Sequence, residues 1–124
     1  MKKLYLLVIA VCGMFLSQGS ALAVNLNFTL KNATGHEIVG LYISPHSSDS
    51  WGSNWLEESI DNGSETNVEF LRSETHIYWD IKVVYGDGSA DTFTSGYNLA
   101  KIYYIRLGYD DDGQPRITYT FYRR

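Results

Sequence analysis

Cysteine, proline and basic residues are all scarce in this sequence, and each scarcity removes a class of explanation. The single cysteine, Cys12, lies in an apolar N-terminal run. A chain without a second thiol has no internal disulfide, so its stability must come from a packed core. Two prolines, Pro45 and Pro115, leave no proline-rich linker. Ten basic residues face fourteen acidic ones, a balance that argues against nucleic acid or an anionic membrane surface as a partner. Catalytic signatures are missing as well. No Gly-x-Ser-x-Gly turn or phosphate-cradling glycine loop occurs, and His36, His46 and His76 stand far apart rather than at metal-ligand spacing. No catalytic residue is assigned, and an enzyme is not expected. A long segment of helical periodicity is also absent.

What is present begins with a leader. Lys2 and Lys3 precede the apolar run 4–16, a polar stretch follows at 17–20, and Ala21-Leu22-Ala23 supplies small residues at a cleavage site. Residues 1–23 read as a cleaved signal peptide, too short in its apolar part for the roughly 20 residues that span a bilayer. The expectation is export, to the periplasm or outside the cell, with no transmembrane segment after cleavage. Residues 24–124 then form one domain with no cysteine. Loss of Lys2 and Lys3 leaves eight basic against fourteen acidic residues, a formal charge of −6.

The organising stretch is 76–85, where Ile77, Trp79, Ile81, Val83 and Tyr85 alternate with His76, Tyr78, Asp80, Lys82 and Val84. A period of two marks a strand with one buried face, and Gly86-Asp87-Gly88 marks a hairpin turn after it. Six further strands are predicted. They are 24–31 (Leu26, Phe28, Leu30 inward), 37–44 with a bulge at Gly40, 65–71 (Val68, Phe70 inward), 89–95 around Phe93 as an edge, 101–109 (Tyr103, Ile105, Leu107 on one face) and 115–122 (Ile117, Tyr119, Phe121 on one face). Short strands between turns imply an all-β domain, a single antiparallel β-sandwich of about seven strands. A small closed β-barrel is the alternative.

Between the second and third strands the alternation stops for about 20 residues, long for a compact domain. This stretch holds Trp51-Gly52-Ser53-Asn54-Trp55-Leu56, and residues 57–60 have the length of one helical turn. The pattern Phe28-x-Leu30-x-Asn32-x-Thr34-Gly35-x-x-Ile38-x-x-Leu41-Tyr42-Ile43-Ser44-Pro45, then Trp51-Gly52-x-Asn54-Trp55-Leu56, then Tyr78-Trp79-Asp80-Ile81-Lys82-Val83-Val84 with Asp87-Gly88, resembles an uncharacterised family of small exported bacterial β-sandwich domains. Asp61-Asn62-Gly63 stands where that group has a proline–glycine turn. The resemblance implies a β-sandwich and no particular chemistry.

If consecutive strands are antiparallel, the connections after even-numbered strands share one end of the domain. That rim would gather Trp51, Asn54 and Trp55 as ligand-binding candidates with Asp49, Asp87, Asp110, Asp111 and Asp112. Several oxygen ligands from separate loops suit calcium, although Asp and Gly are also ordinary turn residues. Otherwise no cofactor is expected. The tryptophans either grip a sugar or protein or anchor the long loop under itself, Trp51 being the expected anchor because Gly52 permits a sharp turn. Tyr78, Tyr104 and Tyr122 fall on outward faces, where Lys82, Arg106 and Arg116 are placed to stack on them. The resulting expectation is a monomeric binding module for an envelope or extracellular protein or glycan. The competing readings are a periplasmic inhibitor or immunity-type protein, a calcium-dependent binder, and a weak enzyme using the rim carboxylates.

Overall fold

The computed structural model describes residues 24–122, so the leader assigned to residues 1–23 lies outside the described residues. Seven strands form: β1 (Phe28–Asn32), β2 (Ile38–Pro45), β3 (Glu65–Val68), β4 (Tyr78–Tyr85), β5 (Ala90–Asn98), β6 (Ile102–Tyr109) and β7 (Pro115–Phe121). They make a four-stranded sheet ordered β3-β1-β6-β7 and a three-stranded sheet ordered β2-β4-β5. The fold is an all-β sandwich and not a closed barrel. One pair departs from the antiparallel expectation: β1 and β6 run parallel, Thr29 opposite Tyr104 and Asn32 opposite Leu107.

The alternating residues of β4 are the centre of the core. Trp79, Ile81 and Val83 are fully buried against Leu30, Leu41, Ile43, Ile105 and Leu107. The expected bulge at Gly40 is present as a register shift between Ile38 and Gly40. It lets Ile38, Leu41 and Ile43 all face inward, which strict alternation forbids.

Side chains on three strands sit differently from their period-two reading. On β6, a register shift between Ile102 and Tyr104 makes Tyr103 the unpaired residue, so Ile102 turns in and Tyr103 out. On β7, Ile117 is half-buried, but Tyr119 and Phe121 are exposed, because among the described residues no strand lies beyond β5 in the other sheet to cover them. On β4, Asp80 is buried although it points away from the core. The register of β5 shifts between Trp79 and Ile81, and this irregularity brings the Gly96 N–H to Asp80 Oδ1 at 3.0 Å. Gly96 is required there: its φ is +73°, and a Cβ would meet His46 Cγ at 3.0 Å.

Strand directions define two ends. The upper end holds the 33–37, 86–89 and 110–114 turns. Ala33 N–H bonds the Leu107 carbonyl and Gly86 N–H the Glu37 carbonyl. Hydroxyls from both sheets meet there, Tyr85 donating to Asp91 Oδ2 at 2.7 Å and Tyr109 donating to the same oxygen. Burial, followed by the bonds to Tyr109 and Asp91, pushes the Tyr85 hydroxyl far above its ordinary value of 10.0. Tyr109 is also raised, chiefly by burial and then by Asp91. The unfolded chain therefore ionises near pH 10 while the folded chain keeps these protons. Stability is fully present below that pH and is lost as pH rises above it. Urea midpoints measured across about pH 9 to 11 should fall, and should fall less steeply in Tyr85→Phe. An equal slope in the two proteins would remove Tyr85 from the account.

Candidate ligand groove

Residues 46–64 decide where the candidate site lies. They leave β2 at the lower end, where His46 N–H bonds the Tyr78 carbonyl, and finish at the upper end, where Ile60 bridges Ile38 and Asn32 N–H bonds the Ser64 carbonyl. The stretch therefore runs the length of the domain along the free edge of β2. Trp55 N–H bonds the Leu41 carbonyl at 2.7 Å. The Asn54 side chain completes the seam: its Oδ1 accepts from Leu41 N–H and its Nδ2 donates to the Val39 carbonyl. An edge strand with open backbone groups invites aggregation, and Asn54 with its neighbours closes this one. The predicted helical turn at 57–60 is replaced by this irregular climb.

The consequence is a correction to the expected rim. Because the connection crosses the molecule, β2 and β3 point the same way and the parity argument fails. Asp49 stays near the lower end, one residue past the turn in which Ser48 N–H bonds the Pro45 carbonyl. Asp87, Asp110, Asp111 and Asp112 are at the upper end. The carboxylates with bonds there serve their own turns: Asp87 Oδ1 accepts from Ser89 N–H and Oγ, and Asp110 Oδ1 from the N–H groups of Asp112 and Gln114. The Ser89 bonds hold the Asp87 carboxyl below its usual range. Among the described residues, no group of three or more His, Cys, Asp or Glu side chains could hold a metal ion. The proposed calcium ligands are thus not brought together.

The anchor expected at Trp51 is found at Trp55. Trp55 is the anchor, its ring 4.9 Å from Phe70, which in turn meets Trp79 edge-on at 4.9 Å. Trp51 is half-buried and makes no hydrogen bond or ring contact among the described residues. Gly52 does adopt a positive φ of 76°, but the turn leaves the Trp51 ring outside the core cluster.

Between this stretch and β3 lies a groove of about 1320 Å³. Its floor is apolar, with Ile43, Trp51, Leu56 and Phe70, and its margin is acidic: Glu57, Glu58, Asp61, Glu65, Glu69 and Glu74 line it, and among the described residues no Lys, Arg or His does. Glu65 accepts from the Tyr104 hydroxyl and Glu74 pairs with His76. Glu57, Glu58, Asp61 and Glu69 have no ion pair or side-chain hydrogen bond among the described residues. These glutamates lie outside the Asp-Gly turns in which the sequence places its acidic candidates. Their signal was available: residues 57–74 carry six acidic side chains and one basic one, Arg72.

Other candidates resolve elsewhere. Tyr78 is on the three-stranded sheet and Tyr104 and Tyr122 are on or beside the four-stranded one, so they form no common row. Lys82 does sit over an aromatic ring, that of Tyr42 at 5.3 Å. His46 Nδ1 lies 2.9 Å from Asp80 Oδ1, just past the β2–β4 pairing that sets Ser44 opposite Asp80. No hydroxyl bonds the other nitrogen of His46 among the described residues, and the pair's visible effect is to satisfy a buried carboxylate.

No helix among the described residues is long and apolar enough to cross a membrane. No family model matches the chain, and no curated protein matches it. Among solved structures it is similar to one described as an NMR structure of a protein from Eubacterium rectale, with 9% identity, a TM-score of 0.55, and coverage of 78% of this chain and 89% of that one. At that identity the likeness concerns the sandwich fold alone.

Proposed function

We propose that the chain is an exported, non-enzymatic binding module whose groove receives a cationic segment of an envelope or extracellular protein. One observation carries this reading: an apolar, tryptophan-bearing floor is bordered by six carboxylates and, among the described residues, by no cation. Charge complementarity sets partner choice and association rate, while a half-exposed tryptophan supplies apolar area at low entropic cost. Unpaired glutamates favour a cation over a neutral sugar. The reading needs no bound metal. The same acidity supports a second form of it, an inhibitor or immunity-type protein that blocks a basic active site in the envelope.

The test is titration with a lysine-rich peptide, followed by tryptophan emission and calorimetry. Neutralising Glu57, Glu58 and Glu69 together to glutamine should weaken binding roughly tenfold, the scale of a few exposed ion pairs. Added salt should weaken it further. Trp51→Ala should cost a similar factor by removing floor contact. Unchanged affinity in both variants would place binding outside the groove.

A further inference from the structure

The two walls of the groove differ in what their backbones still offer. The wall formed by residues 46–60 already bonds the edge of β2 through Trp55, Ile60 and the Asn54 amide. The other wall is β3, which β1 pairs on one side only. No backbone hydrogen bond joins the second side of β3 to any described residue, and all of β3 lines the groove. An unpaired strand edge is a template for another strand. An extended peptide laid on such an edge completes the ladder and turns successive side chains to opposite faces.

From this geometry we propose that the groove binds an extended, lysine- or arginine-rich polypeptide segment by adding it as a strand to β3. The proposal rests on the cationic-partner reading above and adds how the partner is held. Alternate side chains of the incoming strand meet the floor at Trp51 and Phe70. The intervening ones carry the positive charge that Glu57, Glu58 and Glu69 leave unpaired. β3 is only four residues long, so the ladder is short and charge attraction remains necessary. The recognised feature is therefore a basic strand with apolar residues at every second position, not a basic helix.

The probe is a peptide of alternating lysine and valine, compared with the same peptide N-methylated on alternate amides. Methylation keeps charge and apolar content but removes the donors that pair with a strand edge. The unmodified peptide should bind and slow hydrogen exchange at those β3 amides that face away from β1. The methylated peptide should bind about tenfold more weakly or worse, the loss expected when a few ladder bonds cannot form. Equal binding of the two peptides would overturn strand addition and leave the cationic groove standing. Failure of both to bind would overturn both readings. Self-association of the protein with protection of β3 in the absence of peptide would make the occupant a second copy of this chain, which also overturns the proposal.

Discussion

Replacing Trp79 with alanine is expected to destabilise the fold by about 3–5 kcal/mol, the range for truncating a large buried aromatic side chain. Trp79 has no solvent exposure. Its ring receives Phe70 edge-on at 4.9 Å, and its Nε1–H donates to the His76 carbonyl at 3.0 Å. Alanine leaves a cavity between the sheets and takes away that carbonyl's donor. A single domain of this size has a total stability of about 5–15 kcal/mol, so the variant loses a large share of it. Its melting temperature should fall by at least about 12 °C. Trp79→Phe keeps most of the volume and should cost clearly less. The loss should also reach the groove, since Phe70 bridges Trp79 to Trp55. A loss under about 1 kcal/mol for the alanine variant, at the low end of ordinary point mutations, would mean that the Trp55–Phe70–Trp79 stack is not the centre of the core.

That stack also shows how far the sequence could be read. Each strand with a clear two-residue period was legible, because a half-buried strand must alternate whatever its neighbours are. The bulge at Gly40 was legible because Ile38, Leu41 and Ile43 cannot share a face otherwise. Residues 46–64 were not legible, for a physical reason. Their attachment to β2 runs through one backbone bond at Trp55, one bridge at Ile60 and a side-chain amide at Asn54, and none of these produces a periodic pattern. Without that path the relative direction of β2 and β3 is not fixed by sequence, and only the path separates the Asp-rich turns from the lower end where the stretch begins. Local turn chemistry at Gly52 does not distinguish Trp51 from Trp55 as the anchor. Their roles depend instead on Phe70, which arrives from beyond β3. The acidic margin of the groove was written in the composition of 57–74, but its concentration along one groove is a tertiary fact.

The second large effect concerns Asn32, which reads in sequence as an ordinary turn residue and is fully buried. Its Nδ2 donates to the carbonyls of His36 at 2.7 Å and Ile60 at 2.9 Å, and its Oδ1 accepts from Thr34 N–H and from Thr34 Oγ1. Its backbone adds bonds to Ser64 and Gly63. One side chain thus ties the β1–β2 turn to the upper end of the stretch that walls the groove. Asn32→Ala removes four side-chain bonds and leaves buried groups unpaired, at about 1–3 kcal/mol for each group that water cannot reach. The expected total is about 3–5 kcal/mol, in the range kept for broken buried networks. Asn32→Asp separates hydrogen bonding from volume. An ionised aspartate keeps the acceptors toward Thr34 but turns a bare carboxylate oxygen to two carbonyls, so burial and repulsion raise its folded pKa above the unfolded value of about 3.9. The sign follows: the variant is least destabilised below that unfolded value, where both states are protonated, and loses stability as pH rises toward its folded pKa. Denaturant midpoints at acidic and neutral pH, each compared with the unsubstituted protein, should therefore diverge with rising pH for Asn32→Asp and not for Asn32→Ala. Parallel curves for the two variants would show that the amide donors to His36 and Ile60 do not hold the upper end of the groove wall in place.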